Sequence, residues 1–274
     1  MKLNNINIAP AALLAEVVGT FILATVALTI PQPLFVGLAL VVLIFGLGSI
    51  SGAHLNPAVT FGLWSIKKLE GVKVPFYWAA QFSGALFALV AFQLYKGQDL
   101  ALSLGSFSQF DTKIVVAEMI GASIFTLVIA SVIHRNQPES TKAAAIGLAL
   151  MVGLYAGGGL LSVAAQNADL TAKEAPRVTK VDGAVLNPAI ALAATERQDE
   201  ATQQLGSLGS EKPKDDKTPA SRLTLETIVG GLVGGALGAN LFMVLAGANP
   251  YAKKQSVATK VTKVVKKSVK KVKK

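Results

Sequence analysis

Apolar residues fall in long unbroken runs along this chain rather than in alternation or in a one-sided stripe. The runs cover Ala9–Ile30, Leu34–Ile50, Pro75–Tyr95, Ile114–Ile133, Ala143–Ala165 and Leu225–Ala248. A bilayer core is about 30 Å thick and takes about 20 helical residues, so the pattern predicts six membrane-spanning helices. Two shorter apolar stretches, "AVTFGLWSI" and "AIALAATE", cannot cross. Each begins at the alanine of the same four residues, Leu-Asn-Pro-Ala. Glycines recur at close-packing intervals, as at Gly230, Gly231, Gly234, Gly235 and Gly238, and such small residues let helix backbones approach within a membrane.

The polar positions divide the chain. The pattern places a membrane domain over 1–250, polar extracellular loops at 166–183 and 195–222, and a basic tail over 251–274. The net charge of +10 is confined to that tail: ten lysines and no acid follow from Lys253, and the remainder carries sixteen basic and sixteen acidic residues. This removes the nucleic-acid reading that a basic chain invites. As a helix the tail would be basic and amphipathic, suited to an anionic leaflet; a solubilising tail is the alternative. Lys2, Lys67, Lys68, Lys73, Arg135, Lys142 and the tail share one side of a six-span topology. The positive-inside rule then predicts cytoplasmic termini and a multi-pass protein of the cell (plasma or inner) membrane. The first apolar run is long enough to remain as a span, and Lys2 alone is a poor signal-peptide head.

Composition narrows the chemistry. With 52% hydrophobic and 15% charged residues and a mean hydropathy of +0.52, the chain lies outside the soluble range. The absence of cysteine removes thiolate catalysis and cysteine-ligated metals, and two histidines, His54 and His134, are too few for a metal cage. No nucleophile–base set or phosphate loop appears. The expectation is a protein that is not an enzyme, with no metal and no cofactor.

The chain also repeats. "AEVVGTFIL" from Ala15 is followed by a span and "HLNPAV"; "AEMIGASIF" from Ala117 is followed by a span and "VLNPAI". The repeats run over about 9–100 and 112–250. Three spans per half is an odd number, so the halves have opposite orientations. Proline suits the first helical turn and asparagine the N-cap, so each motif reads as the start of a half-helix entering the membrane. Inverted symmetry would bring Asn56-Pro57-Ala58 and Asn187-Pro188-Ala189 together near the midplane, both positive dipole ends facing one spot. Backbone at Gly52, Ala53, His54, Gly183 and Val185 would expose carbonyls, which is tolerable at membrane depth only beside a cavity.

These motifs, with "SGAHLNPAVT", "YWAAQFSGA" and "IVGGLVGG" in order, resemble the aquaporin (major intrinsic protein) family over roughly Ala11–Val244. The resemblance implies an all-α membrane protein with six transmembrane helices, two re-entrant half-helices and an inverted 3+3 repeat. It further implies a homotetramer with one pore per subunit, passing water or a small neutral solute across the lipid bilayer. In the family, glutamates at the places of Glu16 and Glu118 accept hydrogen bonds from the re-entrant loops, and an arginine follows the second motif as part of a narrow outer filter. Here that residue is Ile190. The other filter positions carry over to Val36, Leu154 (or Gly153) and Ala184, giving an apolar filter without aromatic, histidine or arginine. Arg177 and Lys180 are candidates to fold back and replace the charge, although a solvated loop is the plainer reading; Arg197 lies too far along the half-helix. His54 reads as packed behind its motif, and Trp64, Tyr77 and Trp78 as packing or interface aromatics.

Two rival readings stay open. One is a proton-coupled secondary transporter using Glu16 and Glu118, since intramembrane carboxylates are functional suspects. The other is a non-conducting structural or adhesion protein on the same scaffold, closed by Leu154 and Ile190.

Overall fold

The computed structural model describes residues 8–102, 104, 110–169, 176–196, 220–249 and 251. Within them the chain forms α1 (Pro10–Thr29), α2 (Pro33–Ser51), α3 (Pro57–Ser65), α4 (Val74–Tyr95), α5 (Thr112–His134), α6 (Glu139–Gln166), α7 (Pro188–Ala193) and α8 (Leu225–Leu245). Short 3₁₀ turns cover Gly71–Lys73 and Arg177–Lys180. Six of these helices are long and apolar enough to cross a membrane, and α3 and α7 are the short ones. The lysine tail, Lys2 and Arg197 lie outside the described residues, as do most of 195–222 and part of 166–183.

Helix limits follow the local chemistry. Pro10, Pro33 and Pro57 open α1, α2 and α3, where a missing N–H costs nothing. Asp111 caps α5 by accepting from Lys113 N, and Thr224 caps α8 in a reciprocal box with Thr227. Helix α6 begins at Glu139, ahead of its apolar run, because Pro138 rather than a change in hydropathy marks the start.

The two halves pack by equivalent contacts. Helix α1 lies against α4 as α5 lies against α8; each half's first helix also meets its second, and α2 meets α6 across the halves. The short helices cross over, α3 packing on α8 and α7 on α4. Glycine makes these crossings possible. A Cβ at Gly84 would meet Val17 O at 2.3 Å, one at Gly234 would meet Met119 O at 2.4 Å, and one at Gly235 would meet Ala58 O at 2.4 Å. The outward surface is apolar: Leu14, Val42 and Phe45 are more than half exposed, and lipid is the solvent that such a surface fits.

Candidate functional site

The two Leu-Asn-Pro-Ala segments meet inside the bundle, and each is built the same way. Leu55 and Leu186 adopt left-handed backbone, with φ of 49° and 56°. They therefore turn the chain abruptly into the following asparagine. Asn56 Oδ1 accepts from Ala58 N at 2.8 Å, and Asn187 Oδ1 accepts from Ala189 N at 3.0 Å. With the carbonyl oxygens committed to capping, the amide NH₂ groups point away from their own helices. Asn56 Nδ2 donates to Leu186 O and Asn187 Nδ2 donates to Leu55 O, both at 2.9 Å. Each amide has a second N–H.

The unusual turns are held from behind by carboxylates. Glu16 Oε1 accepts from Ser51 Oγ at 2.7 Å and His54 N at 2.9 Å. Its Oε2 accepts from Leu55 N at 2.7 Å and Gln81 Nε2 at 2.8 Å. Glu118 accepts from Val185 N at 2.9 Å and Leu186 N at 2.7 Å. One turn beyond each glutamate stands a glycine that the leucine sits upon: a Cβ at Gly19 would lie 2.5 Å from Leu55 Cδ2, and one at Gly121 would lie 2.6 Å from Leu186 Cδ2. The repeated Ala-Glu-x-x-Gly thus has a physical purpose. Its glutamate satisfies the loop amides, and its glycine leaves room for the loop leucine.

Beside this junction lie two small cavities. The first, ≈ 10 Å³, is walled by Asn56, Asn187, His54 and Val185, with Val36, Ile190 and other apolar side chains. That is about the room a single water needs. The second, ≈ 20 Å³, extends past Gly52, Ala53 and Val59 toward Ile133 and Ile146. Both share Leu40, His54 and Phe125, so they abut. Of the four filter positions, Val36 and Ile190 line the first cavity, whereas Leu154 and Ala184 are not among its described walls. Gly183 has open space where a side chain would stand, and Ala184 packs against Gly157 of α6. His54 Nδ1 lies 3.2 Å from Thr60 Oγ1, so its ring is tied to α3 while the residue faces both cavities.

Gln81 and Arg222 were not singled out by the sequence, and Tyr77, Trp78 and Arg177 do more than it assigned them. Gln81 donates to Glu16 and to Thr60 Oγ1, Tyr77 Oη donates to Ser51 O, and Trp78 Nε1 donates to Pro57 O. The aromatics of "YWAAQ" therefore hold the first loop as well as pack, a signal available in the motif itself. Trp64 packs on Phe61, with Lys67 over its ring. Arg177 is not solvated: it is buried and pairs with Glu196 and Glu226. These carboxylates and the apolar seat of Val178 draw the turn inward. Arg222, from the last residues of the polar stretch before α8, is also buried, with Nη2 3.5 Å from Glu118 Oε1. Burial pulls its pKa below the ordinary arginine value; Glu118 first, then Glu196, oppose that pull. Among the described residues no group of three metal-ligating side chains occurs.

Residues 10–172 match the family described as Major intrinsic protein. The chain belongs to that family. As a major intrinsic protein with six helices long and apolar enough to cross a membrane, it is a multi-pass membrane protein. It is similar to Aquaporin AqpM of Methanothermobacter thermautotrophicus, 36% identical over 119 residues, covering 41% of this chain and 48% of that protein. It is also similar to Aquaporin Z of Photorhabdus laumondii, 32% identical over 170 residues, covering 51% of this chain and 73% of that protein. The chain thus spans about half the length of that AqpM. The X-ray structure of the aquaglyceroporin from Plasmodium falciparum shares the fold at a TM-score of 0.51 and 23% identity, covering 86% of this chain and 94% of that one. The family match ends before the second motif.

Proposed function

We propose that this major intrinsic protein is a passive channel for water or other small uncharged solutes, driven only by their gradients, with an apolar outer constriction. The observation that carries this reading is the pair of crossed bonds between Asn56 and Leu186 and between Asn187 and Leu55, set beside cavities of about one water's size. The junction offers amide donors to a solute passing in single file, while Val36 and Ile190 offer none. A neutral molecule that can shed most of its hydration passes such a ring at least cost; an ion does not, because desolvating a charge is far more expensive.

On this reading the termini, Lys67 and Arg135 face the cytoplasm and the Arg177 turn faces outward, in a plasma or inner membrane. The working unit is a homotetramer with one pore per subunit. Glu16 and Glu118 serve as braces. All four groups around Glu16 are donors, a setting that an acceptor-only carboxylate fills and that a proton-carrying one would disturb.

Stopped-flow light scattering on proteoliposomes under water, glycerol and urea gradients tests this reading. The expected result is flux above that of empty vesicles, linear in the gradient and indifferent to ΔpH. Saturating, ΔpH-following flux would indicate a proton-coupled transporter. Shrinkage no faster than in empty vesicles would indicate a structural role.

A further inference from the structure

The two halves differ in what accompanies their buried glutamates. Among the described residues every hydrogen-bond partner of Glu16 is neutral, and Gln81 of α4 supplies the side-chain amide. Gly84 crosses α1 at Val17 O as Gly234 crosses α5 at Met119 O. In that register the counterpart of Gln81 is Gly231, which has no side chain to offer. The partner of Glu118 comes from outside the helix instead. Arg222 is anchored by its own N–H to Ala194 O at 2.7 Å and by its carbonyl, which accepts from Thr227 Oγ1 at 2.8 Å. Its side chain is 6% exposed, and its Nη2 faces Glu118 Oε1 at 3.5 Å without a hydrogen-bond partner among the described residues. The same Glu118 oxygen holds Val185 N, and Val185 lines the first cavity together with Ile190. A guanidinium thus sits one carboxylate behind the wall of the constriction, in a half whose lumen position after Asn-Pro-Ala is apolar.

We propose that Arg222 is the specificity-determining cation of this pore, offsetting Glu118 behind the Val185 wall so that the outer constriction presents no net negative charge to passing cations. This rests on the channel reading above. The arrangement separates two roles that one lumen arginine would combine: the charge that opposes cations is kept, while the lumen at Ile190 offers no donor to polar solutes. Arg222 acts through Glu118 and is a positioning and charge-balancing residue, not a solute contact. Arg177 is engaged with Glu196 and Glu226, and among the described residues Arg222 is the guanidinium within ion-pair distance of Glu118.

The test uses full-length protein in vesicles, reading proton and potassium leak alongside neutral-solute flux. Arg222→Gln should raise the ion leak, relative to solute flux, by about tenfold or more, the scale of one unbalanced charge several ångströms from the path. Arg222→Lys should remain within about twofold of the parent, since a unit charge moved by an ångström or so changes little at this dielectric. Adding Ile190→Arg to Arg222→Gln should lower the leak again, which a purely structural role of Arg222 would not produce. An unchanged leak in Arg222→Gln, or a leak in Arg222→Lys as high as that of Arg222→Gln, overturns the proposal. Should Arg222→Gln fail to fold, the equally neutral Arg222→Met takes its place and is read by the same rise in leak. Absence of neutral-solute flux in the parent would instead count against the channel reading itself.

Discussion

Asn56 and Leu186 stand 130 residues apart in the chain, yet the asparagine amide donates to the leucine carbonyl at 2.9 Å. Asn187 repeats the bond to Leu55. Each half-helix's capping asparagine is therefore tied by its amide to the leucine carbonyl of the other half's loop. Asn56→Asp or Asn187→Asp removes the donor and adds a charge. Leaving a buried carbonyl unpaired costs about 1–3 kcal/mol, so each variant should unfold earlier in detergent. In vesicles each should also show cation conductance that the parent lacks, measurable by voltage clamp of a planar bilayer.

Gly19 and Gly121 predict a second outcome. A valine at either would drive Leu55 or Leu186 off its seat, since even the first added carbon lies within 2.6 Å of the leucine. Overpacking of this kind costs about 1–3 kcal/mol. Gly46→Ala, where no atom lies within 4 Å, is the matched control and should unfold at the parent temperature or above, alanine being the better helix former. Thermal unfolding monitored by circular dichroism separates the two.

Much of this arrangement was legible in the sequence, and the reason is local. The spans, the inverted halves and both half-helix starts are short-range patterns: apolar runs, Ala-Glu-x-x-Gly and Leu-Asn-Pro-Ala. What the sequence did not show was long-range pairing of charge. Hydropathy assigns a charged side chain to solvent, so Arg177 reads as a loop residue until Glu196 and Glu226 come beside it. Arg222 closes a stretch of charged and polar residues, and its partner Glu118 lies more than 100 positions away. Gln81 was hidden for the opposite reason, as one amide within an apolar span whose two partners belong to different helices.

Glu16 allows the brace and the proton carrier to be distinguished. Glu16→Gln leaves one acceptor oxygen and turns an NH₂ toward groups that are themselves donors. The brace reading expects lower thermal stability and a reduced flux that stays linear in the solute gradient. Loss of a ΔpH-driven component, with stability intact, would speak for the carrier.

Ile190→Arg restores a cation and its donors to the first cavity's wall. The cavity already has room for only about one water, so the longer side chain should narrow selectivity toward water. Glycerol flux should fall by more than water flux in the same stopped-flow series. Unaltered polyol permeation would place the constriction elsewhere.

The central claim is that solute travels through the passage at Asn56 and Asn187, and one measurement meets it head-on. The natural chain contains no cysteine, so Ile190→Cys introduces a single mercury-binding thiol at the wall of that passage. Osmotic shrinkage of Ile190→Cys vesicles should be rapid, should stop on addition of mercuric ion and should return with excess thiol, while the parent is unaffected by mercury. Shrinkage of the Ile190→Cys vesicles that continues at full rate with the thiol demonstrably mercurated would contradict the account.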